Sequence, residues 1–542
     1  MGENASVTAH ALTVPALLHR IARDHGDHPY VITPDAAPDD RLTYADAERR
    51  SAHLARFLLW RGIGKGTRLG LYFPNGTQWV TWWLAASRVG ALVIPLSTLY
   101  PPAELARVLR LSDVSTLVAP RRVLGIDVPA RLEGALDGLA GQRADRIALP
   151  AAPHLRSIVL TGAPADCPGW ATAAPAGGIS ERSLVSPDVL AAAEAEVSPA
   201  DLAVMVHTSG STADPKGVLH THGTLTRQTA TWPAAIRAVT GNPGPPKVLC
   251  AMPFFWIGGL LATTGALHGP VTVLVQPNLD PGVALDLVER ERATGVIGWP
   301  AFTQRLRDHP TFADRDLSSA PLLRDGPLDI AMVDVPDGYP VHRTMSETAG
   351  GFAHTEMAIV DETGGPVPDG EVGELLVRGV GVMAGYNKRE RVDTFDADGW
   401  YHTGDRVYRR TGDPRLFYVG RTGDMIKSSG ANVSPLEVEA VVERFDDVTQ
   451  CVVVGLDHPE RGEEVCAVIV PAAPSTTPST TPTTPQAAAA DLTARTRAQL
   501  SVYKVPTRWF RAAADQIPTL PSGKLDRRTV RARVREGAFD AL

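Results

Sequence analysis

The sequence predicts an α/β protein: a large N-terminal region of α/β subdomains with mainly parallel sheets plus a small β-rich subdomain, then a small α+β C-terminal domain. Three observations predict it. Short β-branched runs alternate with helical periodicity from about residue 41 to residue 300, the pattern changes to short strands and turns near residue 357, and strand-like runs with helical neighbours return after residue 434.

The stretch "RLTYADAERRSAHLARFLLWRGI" carries apolar residues at helical spacing, and "RLGLYFPNG" after it reads as a short strand closed by a Pro-Asn-Gly turn. The runs "ALVIPL", "STLVAP", "SIVLTG", "LAVMVHTSG", "VTVLVQP" and "GVIGWP" are further strands between helical segments, as parallel sheets require. From residue 357, "MAIVDETGGPVPDGEVGELLVRG" is strand and turn. "PLEVEAVVERF", "VTQCVVVGL", "EEVCAVIVP" and a helix from Asp491 make the closing α+β unit. "PAAPSTTPSTTPTTPQAAAA", residues 471–490, is too poor in apolar side chains to offset ordering entropy and predicts a disordered loop inside the last domain.

Composition excludes several classes. Charged residues are 21% of the 542 and the formal net charge is −7, so neither a nucleic-acid-coating protein nor a basic membrane-surface binder is indicated. The longest apolar run, "WVTWWLAASRVGALVIPL", contains Arg88 and predicts no membrane span. The four cysteines show no C-x-x-C spacing, which suits a reducing cytoplasm and suggests neither a zinc site nor a disulfide framework. His220 and His222 form an H-x-H pair with no third ligand nearby and read as packing or surface. Basic charge is mostly arginine, with only seven lysines: Lys65, Lys216, Lys247, Lys388, Lys427, Lys504 and Lys524. Where lysine is this scarce, each one raises a question of role.

Residues 207–222, "HTSGSTADPKGVLHTH", gather hydroxyls, glycine and Lys216. Glycine lets backbone N–H groups approach an anion, hydroxyls add donors and lysine supplies countercharge, so the stretch suits polyphosphate. The Walker pattern fails, because Pro215 precedes Lys216 and Gly217 follows it. A kinase or motor-type NTPase is therefore disfavoured.

Six stretches in order then carry a resemblance: "TSGSTADPKGV", "MPFFWIGGL", "MSETAG", "GWYHTGD", "GRTGDMIKSSGANVSPLEVE" and "PTLPSGKLDR". The chain resembles, over nearly its full length, the adenylate-forming superfamily of acyl-CoA synthetases, peptide-synthetase adenylation domains and luciferases. The resemblance implies an N-terminal AMP-binding domain over 1–422 and a mobile C-terminal domain over 423–542. It implies that Thr208, Ser209, Gly210, Ser211, Thr212 and Lys216 hold the β- and γ-phosphates of ATP, and that Glu347 carries Mg²⁺. Asp405 would accept from the ribose hydroxyls with Arg421 assisting, and Arg343 and Ser346 would lie at the nucleotide. Phe255, Trp256, Gly258 and Thr344 would line the acid pocket, and Ser429, Gly430 and Ala431 a coenzyme A channel. Lys524 would reach the α-phosphate and the carboxylate oxygen in the first half-reaction. Taken singly, Lys524 is a solvated lysine, Asp405 a turn cap and Glu347 a helix-end charge.

The chain departs from the family pattern in places. Gly423 stands at the pivot, where the family has Asp or Lys; glycine permits the rotation but drops the charged contact. Arg343 replaces the aromatic that stacks on adenine, and its planar guanidinium can stack as well. Only twenty-one residues run from Gly326 to Glu347, too few for the family's turn, helix and strand. The implied function is an ATP-dependent ligase that activates a carboxylic acid as acyl-AMP and transfers it to coenzyme A. Two alternatives remain: an ATP-dependent diazotase that activates nitrite and couples it to an aromatic amine in secondary metabolism, and a non-catalytic nucleotide-binding homologue. The small-molecule acid and the oligomeric state are left open, with neither nucleic acid nor membrane as a partner.

Overall fold

A computed structural model describes residues 12–34, 41–162, 166–175, 184–208, 215–242, 244–298, 300–325, 355–412, 416–421, 425–472, 484–519 and 525–542. The chain forms two compact units. The first comprises residues 1–98, 109–206 and 217–420; the second comprises 99–108, 207–216 and 421–542.

The first unit follows the alternation in the sequence. An eight-stranded sheet has the order 385–386, 216–221, 202–208, 92–95, 68–71, 116–120, 157–161 and 172–173. Its central pairs, from Leu202–Thr208 across to Thr172–Ala173, are parallel. A five-stranded sheet combines Pro29–Ile32, Arg41–Thr43, Lys247–Cys250, Thr272–Leu274 and Gly295–Ile297, parallel except at the Arg41–Thr43 edge. A four-stranded sheet of Glu356–Val360, Gly373–Arg378, Tyr401–Arg409 and Leu416–Arg421 includes the antiparallel strands expected after residue 357.

Helix Tyr44–Trp60 starts at a capping box in which Thr43 Oγ1 accepts from Asp46 N–H and the Asp46 carboxylate accepts from Thr43 N–H. It buries Tyr44, Ala47, Ser51, Ala55, Phe57 and Leu58. The apolar run begins in a core helix, Thr77–Arg88, whose residues from Trp79 to Arg88 are all buried, and ends in the buried strand Leu92–Pro95. Arg88 is 3% exposed there and tolerates burial because its guanidinium pairs with Glu48 at 2.9 Å and with Glu194. Among the described residues no helix is long and apolar enough to cross a membrane.

The second unit is built on a six-stranded sheet of Ala431–Val433, Ile426–Ser428, Val448–His458, Gly462–Pro471, Arg508–Arg511 and Asp540–Ala541. Val448–His458 and Gly462–Pro471 form a long antiparallel pair, and Arg508–Arg511 joins Gly462–Pro471 in parallel. Here the reading of 471–490 as disorder needs correction at both ends. Pro471 closes a strand, and a helix runs Pro485–Gln499 rather than starting at Asp491. Thr484 caps that helix by accepting from Ala487 N–H at 3.2 Å, Pro485 has the φ a first turn needs, and alanine propagates the helix. Residues 473–483 lie outside the described residues. All four cysteines are free thiols, and burial pushes those of Cys250 and Cys466 up to about 12.

Candidate active site

In the first unit the aromatic segment is held by a residue outside the six motif stretches. Asn75, 8% exposed in the Pro-Asn-Gly turn, donates from Nδ2 to Met252 O at 3.0 Å and accepts at Oδ1 from Phe254 N–H at 2.8 Å. Phe254 packs on Trp79 with ring centroids 5.2 Å apart, which leaves Phe255 and Trp256 as an edge-to-face pair at 5.6 Å. Helix Ile257–Gly265 follows immediately. A side chain at Gly259 would lie 2.3 Å from Pro253 O, so only glycine fits; at Gly258 the nearest atom is the flexible Met252 Cε at 2.7 Å. The signal that could have found Asn75 is its place in a strand-closing turn. Asn75→Ala should cost about 2 kcal/mol, two neutral hydrogen bonds with the partners left buried. A denaturation midpoint unchanged from the parent would show that the segment is held otherwise.

Asp405 lies mid-strand in Tyr401–Arg409 and is half-buried. Around it, Asp405 N–H donates to Thr403 Oγ1 at 3.0 Å, Thr403 Oγ1 donates to Leu375 O at 2.6 Å, and Gly404 N–H, at φ 72°, donates to the Glu374 carboxylate at 3.0 Å. Arg421 closes strand Leu416–Arg421.

In the second unit, Thr208 ends strand Leu202–Thr208 exposed, and Lys216 opens strand Lys216–Thr221 half-buried. His207 beside Thr208 is 9% exposed, and burial together with the Lys504 charge holds its pKa down to about 4. Gly217, which follows Lys216 and belongs to the first unit, is closely packed: a Cβ would lie 2.5 Å from Met205 Sδ and 3.2 Å from Asn387 Cβ, so the Met205 side chain would have to shift. Ser429 and Gly430, at φ 53° and 81°, form the two-residue turn between Ile426–Ser428 and Ala431–Val433, which suits a primed hairpin turn. In the first unit, His220 and His222 are packing residues, as expected: His222 Nδ1 accepts from Val14 N–H at 3.3 Å, and burial lowers both pKa values to about 4. Among the described residues no three His, Cys, Asp or Glu side chains cluster as a metal site.

Ser209, Gly210, Ser211, Thr212, Arg343, Thr344, Ser346, Glu347, Gly423 and Lys524 lie outside the described residues, as does the Arg421 side chain. The structure therefore brings Phe255 and Trp256 together and places Thr208, Lys216, Asp405 and Ser429–Ala431 individually.

Comparison with known proteins decides the family. Residues 18–326 and 330–387 match the AMP-binding enzyme family, and residues 437–524 match the AMP-binding enzyme C-terminal domain. The chain belongs to the AMP-binding enzyme family. It is 32% identical to the 7a-methyl-1,5-dioxo-octahydro-1H-inden-4-yl propanoyl:CoA ligase of Mycobacterium tuberculosis, over 96% of this chain and 98% of that one. It is 31% identical to a feruloyl-CoA synthase of an Amycolatopsis species, over 91% and 94%. Among solved structures it matches the amide bond synthetase McbA of Marinactinospora thermotolerans at a TM-score of 0.70 and 26% identity, over 95% and 99%. This AMP-binding enzyme is an ATP-dependent, adenylate-forming ligase of the acyl-CoA synthetase kind. These relatives favour neither the diazotase nor the non-catalytic reading.

Proposed function

We propose that the enzyme activates a carboxylic acid with a cyclic, largely apolar body and delivers it to coenzyme A. The observation that carries the acid class is the near full-length similarity to two ligases named for cyclic acyl groups, a ferulate and a fused bicyclic propanoate. The edge-to-face Phe255–Trp256 pair supports it, because such faces suit a planar or fused ring.

In the first half-reaction a carboxylate oxygen attacks the α-phosphorus and pyrophosphate leaves; in the second the coenzyme A sulfur attacks the acyl carbon, gives up its proton and AMP leaves. Both steps join anions, so charge neutralisation and in-line placement outweigh any protein nucleophile. Thr208, Ser209, Gly210, Ser211, Thr212 and Lys216 hold the β- and γ-phosphates, Asp405 accepts from the ribose hydroxyls with Arg421 assisting, and Arg343 stacks on adenine beside Ser346. Glu347 is the Mg²⁺ residue: a carboxylate is a hard oxygen donor of the kind that ion takes, and bound Mg²⁺ supplies charge neutralisation at the phosphates. Phe255, Trp256, Gly258 and Thr344 shape the acid pocket. Lys524 serves the first half-reaction, Gly423 is the pivot, and Ser429, Gly430 and Ala431 border the coenzyme A path.

The test is kcat/KM for coenzyme A thioester formation across aryl-propenoic, fused-ring propanoic and straight-chain acids. Cyclic acids are expected to exceed a straight-chain acid of equal carbon number at least about tenfold, roughly 1.4 kcal/mol of transition-state discrimination. Preference for the straight chain would overturn the proposed acid class.

A further inference from the structure

Lys504 sits in the 3₁₀ turn Val502–Lys504 of the second unit and is 3% exposed, which lysine almost never is without partners. Its ammonium donates to Glu104, in the segment 99–108 of the same unit, and to Glu437 Oε1 at 2.9 Å. Glu104 is 0% and Glu437 1% exposed. The other Glu104 oxygen accepts from Ser501 N–H at 2.8 Å and Ser501 Oγ at 2.7 Å, and Arg107 donates to Glu437 Oε1 at 2.9 Å. Burial alone would lower the Lys504 pKa, but Tyr503, Glu437 and Glu104 outweigh it and raise it. The charges balance: two carboxylates, one ammonium and one guanidinium.

Such a network adds little net stability, because desolvating its charges offsets their attraction, whereas breaking one pair strands a buried charge and is strongly destabilising. It therefore specifies one arrangement and penalises others. Residues 207–216, which carry Thr208 and Lys216, belong to the same compact unit as segment 99–108 and the C-terminal chain.

We propose that Lys504 and Glu104 are positioning residues of the ligase reaction, clamping segment 99–108 to the C-terminal chain at the flank of the phosphate loop. This rests on the two half-reactions assigned above. The chain that carries Lys504 also carries Lys524 and the 429–431 turn, which serve different half-reactions, so an arrangement fixed by the network favours one of them. Lys504 does not touch the substrates; it acts through the segments it holds.

The experiment compares Lys504→Met, Glu104→Gln and the double variant with the parent. Adenylation is measured by ATP–pyrophosphate exchange, transfer by thioester formation from supplied acyl-adenylate, and segment order by hydrogen exchange of amides 99–108. Each single variant is expected to change the ratio of the two half-reaction rates at least about tenfold, both in the same direction, and to speed exchange in 99–108. The double variant buries no unpaired charge, so it should regain most of the parent's melting temperature while keeping the altered ratio. That result separates positioning from stability, and it covers single variants that fail to fold. Equal loss in both half-reactions, or unchanged exchange in 99–108, overturns the proposal. A parent that exchanges pyrophosphate with no acid sinks the ligase reading, and hydrogen exchange then decides the clamp alone.

Discussion

Lys524→Ala is expected to slow acyl-adenylate formation at least about a hundredfold while thioester formation from supplied acyl-adenylate stays within about threefold of the parent. The cause is charge. When the acid attacks the α-phosphorus, negative charge accumulates on the phosphate and carboxylate oxygens, and an ammonium aimed there acts most strongly in that transition state. On the proposed assignment the second half-reaction, which breaks the acyl-phosphate bond with no new phosphorus centre, should proceed without that ammonium. Single-turnover measurements of each half-reaction check the assignment. Equal loss in both would place Lys524 in general structure instead.

Acidification should destabilise the protein progressively below about pH 6.5. His207 and His222 are 9% and 0% exposed, and burial lowers each pKa to about 4, with the Lys504 charge adding to the effect at His207. An unfolded histidine takes its proton near pH 6.5, so between about 6.5 and 4 the unfolded chain holds the extra proton. The stability linked to these groups is whole above about pH 6.5 and falls as pH drops toward 4, by up to about 1.4 kcal/mol per pH unit for each histidine. Melting temperature followed from pH 7.5 to 4.5 should therefore decline, and less steeply in His222→Gln, which has no ring to protonate. Identical slopes in parent and variant would show that other groups govern acid lability.

Much of this fold is legible in the sequence for a simple reason. Runs such as "STLVAP" and "SIVLTG" are short, β-branched and flanked by helical periodicity, and both become central parallel strands, 116–120 and 157–161. The buried charges were not legible. Arg88 and Lys504 belong to residue types that composition assigns to solvent, and their partners Glu194 and Glu104 lie 106 and 400 positions away. Only the scarcity of lysine singled out Lys504. The start of the helix from Pro485 reads as loop in the sequence because it is alanine and glutamine with no apolar stripe; only Leu492 and Thr496 are buried along it. The pair Thr484–Pro485 and the alanines after it were the available signal. In the candidate site, Phe255 and Trp256 could be read from the sequence as a motif, whereas the Asn75 that pins their segment is 179 positions from Phe254.

The central claim is that the chain forms an acyl-adenylate and passes the acyl group to coenzyme A. The most direct measurement follows ATP, AMP, pyrophosphate and acyl-CoA together, with a cyclic carboxylic acid, ATP and Mg²⁺, in the presence and absence of coenzyme A. The account predicts acid-dependent pyrophosphate release, with one AMP and one thioester formed per ATP once coenzyme A is added. Release of ADP and phosphate, or adenylate formation with no thioester for any acid tested, would contradict it.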